Sequence, residues 1–486
     1  MRLINKFVII TIFMIVTTIL LSSCKSAPVT TPTATATLQP SATNAPTEVP
    51  TPTATIIPDT KLKYEINASL DYGGKYVDVS QRIYMPSLEI APPNITLLME
   101  PAQYTNGFAV REIQFNGQPQ VEYQVGINKI EFIPAVFDAG SQENVIDIKF
   151  ELYVPRIPQT NYLKSQQYGF TDRQMNLVDW YAALPPQDDA GNWIVHDVYV
   201  VGETVVLQIA EFELNLSITG FNKPVVVAAS SIPVRTNNDY KYKVPANRSF
   251  ALSISPEYIV SEGEVNGIRV QSYAFGIFET QNKAVLDYTM QALAFFEEKF
   301  GPLDRESLSV VQGDFMDGME FDGLYFLSKG FYDLDPSLKG YLAMIAIHET
   351  SHQWWFAEVG NDQSLEPWLD ESMATFSEYL FYAEKHPDTL NWWWQSRVEF
   401  FKPTGLINMP VRNYSDYLDY RDSVYLNGAK FLAEVRDYIG AEVFDNAIRD
   451  YYGKNKGKIV SSTDFWNSFR NSDKYPFLDK FNKYYR

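Results

Sequence analysis

The chain has 486 residues, so two or three domains are expected once any processing is complete. Its formal net charge of −19 opposes contact with phosphate backbones, which argues against nucleic acid as a partner. A single cysteine excludes an internal disulfide and a cysteine cluster, so any metal must be held by histidine and carboxylate.

The first 23 residues have the pattern of a secretory signal. Two basic residues precede an apolar run of about 15 residues, which is shorter than the length that a permanent membrane helix needs. A short uncleaved anchor is the alternative interpretation. Leu21-Ser22-Ser23-Cys24 resembles the lipobox of bacterial lipoproteins, in which the cysteine is acylated. We therefore predict a signal peptide at 1–23 and a lipid at Cys24 that tethers the protein to the outer face of a bacterial cell membrane.

Residues 24–60 consist mostly of Thr, Pro, Ala and Ser, with almost no charge. Such a composition cannot form a hydrophobic core and is typical of an extended, semi-rigid spacer. We expect this linker to hold the folded part of the chain away from the membrane.

Past Lys61, apolar and polar residues alternate. The alternation is clear at 64–70, 146–154 and 212–218, and turns rich in Pro and Gly separate the segments. This pattern predicts half-buried strands. Residues 61–245 are therefore predicted to form a mainly antiparallel β domain, and nothing in this segment indicates catalysis.

The period of the apolar residues changes to that of a helix near Leu286. The helical spacing continues to Phe300, and Gly301-Pro302 ends it. Helices dominate from there to the C terminus, with a short strand predicted at 308–311. The fold class is therefore α+β, with the β domain followed by a mainly helical domain at 246–486.

The segment His348-Glu349-Thr350-Ser351-His352 follows an apolar run with helical spacing. On a helix, histidines four residues apart share a face, so both imidazoles can bind one metal ion. Glu349 lies beside them, placed to take a proton from water at the metal. Imidazole and carboxylate ligands with one open position suit zinc. Because the chain has 4 histidines, a chance match is expected in fewer than about one in a hundred such chains.

A third metal ligand is expected on a second helix. Pro367 opens a helical segment that runs to about Lys385, and Glu371 in its first turn follows His352 after eighteen residues. A carboxylate there is also favoured by the helix dipole. Beside the histidine pair, however, Glu371 is predicted to complete a site for one Zn²⁺ per chain.

These residues resemble the aminopeptidase N family of gluzincin metallopeptidases. That family has His-Glu-x-x-His, eighteen residues, and then Glu within Trp-Leu-Asn-Glu-Gly. Here the second stretch is Trp368-Leu369-Asp370-Glu371-Ser372, with Asp for Asn and Ser for Gly. The resemblance implies a saddle-like N-terminal β domain and a thermolysin-like catalytic domain. It leaves no room for the family's later domains, so a more open active site is expected.

A second motif of the family is Gly-x-Met-Glu-Asn, whose glutamate holds the free amino group of the substrate. Asp317-Gly318-Met319-Glu320-Phe321 occupies the corresponding place and matches at Met and Glu. The resemblance therefore implies that Gly318, Met319 and Glu320 bind substrate. The alternative is that Glu320 is a plain surface carboxylate.

A third motif is Tyr-x-Lys-Gly, whose tyrosine stabilises the tetrahedral intermediate. Tyr425-Leu426-Asn427-Gly428 resembles it, with Asn in place of Lys, so Tyr425 is implied to be catalytic. Tyr420 is the neighbouring tyrosine that competes for this role. Glu378 lies seven residues beyond Glu371 on the same helical face, and it is predicted to orient a zinc histidine.

The sequence thus predicts a zinc aminopeptidase that hydrolyses peptides with Glu349 as general base. Two alternatives belong to other classes: a catalytically inactive lipoprotein that binds peptides, and a solute-binding lipoprotein that feeds a transporter. The intact Glu349 argues against the first, and the histidine pair is unexplained by the second. A third alternative is an endopeptidase with an open cleft. No pattern indicates an oligomeric state.

Overall fold

The structure is a computed structural model, and it describes residues 61–88, 90–135, 137, 144–158, 166–316 and 318–486. The predicted signal peptide, the Cys24 lipid site and the linker lie outside these residues and stay predictions. Within the described ranges, no helix is both long enough and apolar enough to cross a bilayer.

An eight-stranded sheet forms the centre of the N-terminal half. Strands Leu62–Asp71 and Ala210–Thr219 run parallel, and every other neighbouring pair is antiparallel. Alternate side chains from Tyr64 to Leu70 are buried, which confirms the predicted strand periodicity and the mainly antiparallel β domain. In spatial order the strands are Val234–Thr236, Asp239–Asn247, Ala210–Thr219, Leu62–Asp71, Tyr76–Tyr84, Val145–Tyr153, Phe108–Phe115 and Gln118–Pro119.

Two smaller sheets share the hydrophobic core of the large one. Buried polar side chains form hydrogen bonds within this core. The amide of Gln81 exchanges hydrogen bonds of 2.7 and 3.0 Å with the backbone of Ala182. The Trp180 indole donates to Phe250 O at 3.2 Å. The three-stranded sheet is ordered Ile95–Leu98, Lys129–Phe132 and Tyr123–Val125, and the four-stranded sheet is ordered Val226–Ala229, Leu252–Ser255, Met175–Leu177 and Gly169–Phe170.

A five-stranded sheet opens the C-terminal half. Its strands lie in the order Tyr258–Val265, Ile268–Phe275, Ser307–Gly313, Leu324–Ser328 and Met319–Phe321. The strand predicted at 308–311 is confirmed as part of Ser307–Gly313. The edge strand Met319–Phe321 runs antiparallel to Leu324–Ser328, with Glu320 opposite Tyr325. The sheet edge therefore presents the segment that resembles the family's amine-binding motif.

Helices pack against this sheet around a second hydrophobic core. The first helix begins at Glu279, seven residues before the predicted start, because its first two turns are largely polar and carry little apolar periodicity. The helices are α1 (Glu279–Phe300), α2 (Lys329–Tyr332), α3 (Tyr341–Ser351), α4 (Trp368–Lys385), α5 (Pro387–Trp393), α6 (Tyr417–Tyr420), α7 (Gly428–Ile439), α8 (Ala441–Asn455) and α9 (Ser462–Asn467), with π-helical turns at Trp394–Val398 and Arg421–Asn427.

The turn that follows α3 is held by a buried arginine from the boundary between the two halves. The Arg248 guanidinium donates to Phe356 O at 2.7 Å and to Leu207 O at 2.6 Å. Burial lowers the pKa of Arg248 to about 10. This value is still well above neutral pH, so the guanidinium stays charged. Because Phe356 lies just after the end of α3, this contact fixes the end of the metal-binding helix against the β domain.

Candidate active site

Helices α3 and α4 bring the three predicted metal ligands together. His348 Nε2 lies 3.2 Å from Glu371 Oε2 and 3.2 Å from His352 Nε2, and His352 Nε2 lies 3.5 Å from Glu371 Oε2. Ligands placed tetrahedrally at the usual zinc bond lengths are separated by about 3.3 Å. All three side chains are buried. The donor set therefore has the spacing that a single zinc ion requires.

Each histidine is held by a carboxylate on the side away from this triangle. His348 Nδ1 lies 2.8 Å from Glu378 Oε1, as the sequence predicted, and His352 Nδ1 lies 2.6 Å from Asp370 Oδ1. A carboxylate accepts hydrogen bonds, so each Nδ1 is the donor. Both Nε2 lone pairs then face the Glu371 carboxylate. Three acceptors that converge on one point need a cation between them.

The ionisation of these groups is consistent with a cation site. Burial by itself raises the pKa of Glu371, but His348 and His352 hold it below its usual range. Burial lowers the pKa of His352, whereas Asp370 and Glu320 raise it well above its usual value. Without metal, protons on the imidazoles therefore balance the carboxylates. A bound zinc ion would replace that positive charge.

Glu349 projects from α3 towards the same point. It is buried, and Glu349, Glu320 and His352 each place one potential ligand atom within 4.8 Å of the others. Its carboxylate also packs closely against Gly318, where an added Cβ would overlap Glu349 Oε1. The predicted general base thus lies beside the metal ligands, and Gly318 leaves the room that it needs.

Tyr425 contacts the zinc ligands directly. Its hydroxyl donates a hydrogen bond to Glu371 Oε1, and its ring stacks on the His348 imidazole with centroids 5.9 Å apart. Burial, with Glu371 nearby, raises the pKa of Tyr425 well above its usual value, so the hydroxyl keeps its proton. Tyr420 packs edge-on against the Tyr425 ring, with centroids 5.6 Å apart. The structure therefore places Tyr425, the residue that matches the motif, against a ligand.

The opposite wall of the site contains a carboxyl group that the sequence did not indicate. Glu203 belongs to the β domain, in which no catalytic pattern was found, yet Glu203, Glu320 and Asp370 each place one carboxylate oxygen within 4.8 Å of the others. Partial burial, together with Glu371 and Asp370, raises the pKa of Glu203 to about 8, and burial and Glu203 raise the pKa of Glu320 well above its usual value. The β domain, in which the sequence indicated no catalytic residue, therefore contributes a carboxyl group to the wall of the site.

Glu203 lies on a loop, and two features explain how this loop reaches the site. Gly202 has a φ of +66°, and an added Cβ would meet Val411 and Tyr420, so only glycine lets the loop approach so closely. Gln363 Nε2 then donates to Glu203 Oε2 at 2.7 Å and to Asp370 Oδ2 at 2.5 Å. Gly202 is the only local sequence signal, and by itself it marks no more than a turn.

The departures from the family motifs have structural roles. Asn427 Nδ2 donates to Gly405 O at 2.7 Å and so fixes the π-helical turn that carries Tyr425. Ser372 Oγ donates to Val424 O at 2.6 Å in the same turn. The ring of Phe321 packs in the core against Phe326, with centroids 6.0 Å apart. These substitutions surround the zinc ligands without replacing any of them.

Comparisons with known proteins agree with this geometry. Residues 284–484 match the peptidase family M1 domain. Endoplasmic reticulum aminopeptidase 1 of Mus musculus is 30% identical over 235 residues, which is 45% of this chain and 25% of that protein. Aminopeptidase N of Lactobacillus delbrueckii subsp. lactis is 26% identical over 208 residues, which is 38% of this chain and 24% of that protein. The match thus spans about a quarter of the length of each relative.

Solved structures show the same fold over most of the chain. An M1 zinc metallopeptidase from Deinococcus radiodurans aligns with a TM-score of 0.59 at 15% identity, covering 84% of this chain and 90% of that one. A two-domain M1 zinc metallopeptidase mutant bound to L-arginine aligns with a TM-score of 0.60, covering 86% and 93%. The α+β fold, with a β-rich domain before a helical catalytic domain, is confirmed. Residues 284–484 thus match the peptidase family M1 domain, and zinc is the metal implied for the site of His348, His352 and Glu371.

Proposed function

We propose that this protein is a zinc aminopeptidase, which removes residues from the N terminus of peptides. The observation that carries the proposal is the carboxyl pair Glu203–Glu320 beside the zinc ligands. Two buried carboxyl groups this close together disfavour two negative charges, so the raised pKa values of Glu203 and Glu320 keep a proton on the pair when no cation is bound. The α-ammonium of a peptide brings a positive charge and three N–H donors, so it can replace that proton and bind both groups.

The position of this pair sets which bond is cut. Glu320 lies on an edge strand, and Glu203 lies on a loop that packs against Tyr420. An ammonium bound there places the first peptide carbonyl towards Glu349 and the ligand triangle. Such fixed orientation is worth more to the rate than the binding energy alone. A solved M1 zinc metallopeptidase mutant from Deinococcus radiodurans is bound to a Tyr-Ser-Ala substrate.

The side chains around the metal complete the hydrolysis. When bound, zinc supplies a Lewis acid that lowers the pKa of water and polarises a carbonyl. Glu349 takes the proton from the attacking water and passes it to the leaving amine. The Tyr425 hydroxyl, which is protonated and beside Glu371, donates a hydrogen bond to the oxyanion. His348, His352 and Glu371 hold the metal.

A matched pair of substrates tests the proposal. A peptide with a free N terminus should be shortened one residue at a time, and its N-acetylated form should be a poor substrate. Glu320→Gln should lower kcat/KM for the free-amine peptide by about 10-fold to 100-fold, because a charge-assisted hydrogen bond is lost. It should change the rate for the acetylated peptide little.

Glu366→Gln is the matched control, since Glu366 is a carboxylate of the same domain whose oxygens accept hydrogen bonds from the backbone N–H of Ser462. It should leave the preference for free amines unchanged. Internal cleavage of the acetylated peptide at a comparable rate would identify an endopeptidase instead. Tight zinc binding without hydrolysis of either peptide would identify an inactive peptide-binding protein.

We also propose that the enzyme is anchored by a lipid at Cys24 to the outer face of a bacterial cell membrane. The support is the sequence alone: the lipobox-like Leu21-Ser22-Ser23-Cys24 and the uncharged linker that follows it. Peptides outside the cytoplasm would then be its substrates.

A further inference from the structure

Behind the zinc ligand His348, the carboxylate of Glu378 is surrounded by four donors. Oε1 accepts from His348 Nδ1 at 2.8 Å and from an Arg397 terminal nitrogen at 2.8 Å. Oε2 accepts from Trp393 Nε1 at 3.0 Å and from Arg397 Nε at 3.1 Å. A carboxylate has about four acceptor sites, so this group is saturated. Its orientation is therefore fixed.

Arg397 supplies half of these hydrogen bonds and the only guanidinium among them. It is 8% exposed and lies in the π-helical turn Trp394–Val398, four residues after Trp393, so the two side chains reach Glu378 from one face. π-helical turns occur frequently at functional sites. The bidentate Arg397–Glu378 pair is the geometry in which an arginine fixes a carboxylate most firmly.

We propose that Arg397 is a positioning residue for the metal, which acts through Glu378 and His348 and sets how tightly the protein holds zinc. With both Glu378 oxygens occupied by Arg397, the carboxylate is held with one oxygen directed at His348 Nδ1. That hydrogen bond keeps the proton on Nδ1 and points the Nε2 lone pair at the metal position. Arg397 thereby selects the metal-binding form of the imidazole.

Removing the guanidinium should disturb this arrangement in a defined way. Glu378 is completely buried, and without Arg397 it would lose two donors and its counter-charge. A buried carboxylate that has lost these donors is strongly unfavourable, so it reorients. His348 would then lose its fixed orientation. Changes to groups that hold a zinc histidine typically cost about 10-fold to 100-fold in metal affinity.

Arg436 provides a matched control. It is also a largely buried arginine of the helical domain, and it donates from Nε and a terminal nitrogen to Asp445 at 2.8 and 2.9 Å. Its partners, Asp445 and Glu384, are not zinc ligands, and both also accept hydrogen bonds from Lys299. Loss of this pair should destabilise the fold as much as loss of the Arg397 pair without acting on the metal.

The test is the zinc dissociation constant of the full chain, measured by competition with a chromophoric chelator. Arg397→Met should raise it about 10-fold to 100-fold, and Arg397→Lys should raise it less, because one ammonium restores the charge without the two-point geometry. Arg436→Met should lower Tm and leave the zinc dissociation constant unchanged. In a Glu378→Gln background, Arg397→Met should have a much smaller effect, since no carboxylate remains to be held.

The proposal fails if Arg397→Met and Arg397→Lys both bind zinc as tightly as the wild type. It also fails if Arg436→Met weakens zinc binding equally, because the effect would then be one of general stability. If Arg397→Met does not fold, Arg397→Lys decides alone: wild-type affinity overturns the proposal and weakened affinity with an unchanged Tm supports it.

Discussion

The two sides of the active site differ in how their charges are satisfied. On the metal side, each histidine contacts a carboxylate, and each of those carboxylates has a further donor: Glu378 from Arg397, and Asp370 from Gln363. On the amine side, Glu320 faces another carboxyl group, and burial raises its pKa well above the usual value. On the metal side the carboxylates are oriented by histidines and by further donors, whereas on the amine side two carboxyl groups lie close to each other.

In the proposed function, this difference matches the cation that each side holds. A resident metal ion needs ligands whose orientation is fixed before it binds, and a saturated network provides that. A substrate must leave after each turnover, so its site can carry charge that only the substrate compensates. In the proposed function, the permanent cation is held between α3 and α4, and the transient ammonium is held between the edge strand Met319–Phe321 and the loop that carries Glu203.

Glu349→Gln should have the largest effect, because it removes the proton carrier from between the two sides. We expect kcat to fall by about 100-fold to 10,000-fold, since general base catalysis is lost, while one zinc per chain is retained. His348→Ala should instead lose zinc. Turnover assays and metal analysis of the purified variants check both results. A Glu349→Gln enzyme with a near-normal kcat would contradict the mechanism.

Gly318→Ala should have the next largest effect, because it acts on the general base from the amine side. The added Cβ overlaps Glu349 Oε1, so the carboxylate must move away from its place beside the zinc ligands. Displacements of about 1 Å can cost roughly 100-fold, and we expect kcat to fall by about 10-fold to 100-fold.

Gly453→Ala is the control for this substitution. Gly453 lies in α8 with no atom within 4 Å of an added Cβ, and alanine there should stabilise the helix slightly without changing kcat. Equal kcat values for Gly318→Ala, Gly453→Ala and wild type would show that the position of Glu349 tolerates the overlap.

The amine side should also give the zinc-free protein a dependence of stability on pH. The pKa of Glu203 is raised to about 8 in the folded chain, so between about pH 5 and pH 8 the folded chain holds a proton that the unfolded chain has released. The free energy of unfolding should therefore fall as the pH rises through this range. Glu203→Gln should flatten the fall.

Denaturant unfolding of chelator-treated protein at several pH values measures this effect. The zinc histidines contribute a fall in the same direction, because the pKa of His348 and that of His352 are raised, so the comparison is between Glu203→Gln and wild type. Curves with the same pH dependence would mean that Glu203 is ionised beside Glu320.

Cys24→Ala should have the smallest effect on the site, because it lies outside the catalytic region on the sequence. We expect unchanged kcat and zinc content, with the protein released from the membrane fraction. Fractionation of cells followed by activity assays of each fraction checks this outcome. A variant that stays in the membrane as firmly as wild type would refute the lipid anchor.

The sequence by itself determined the metal side of the site. His348 and His352 share a face because helical geometry is local, and Glu371 follows in the first turn of a helix whose start is marked by Pro367. The strands of the β domain were equally predictable from the sequence, because alternation of apolar residues reflects burial of one face of the sheet. Patterns of this kind depend only on neighbours along the chain.

Only the tertiary structure decided what surrounds those ligands. Glu203 and Gln363 are 160 residues apart, and Arg397 reaches Glu378 from a separate helical turn. Single glutamates, glutamines and arginines carry no periodicity, so no local pattern distinguishes them from solvated surface residues. Their roles arise from burial and from the partner that each one meets. The packing of the Glu203 loop and of the turn that carries Arg397 around α4 therefore determined which partner each of these carboxylates meets.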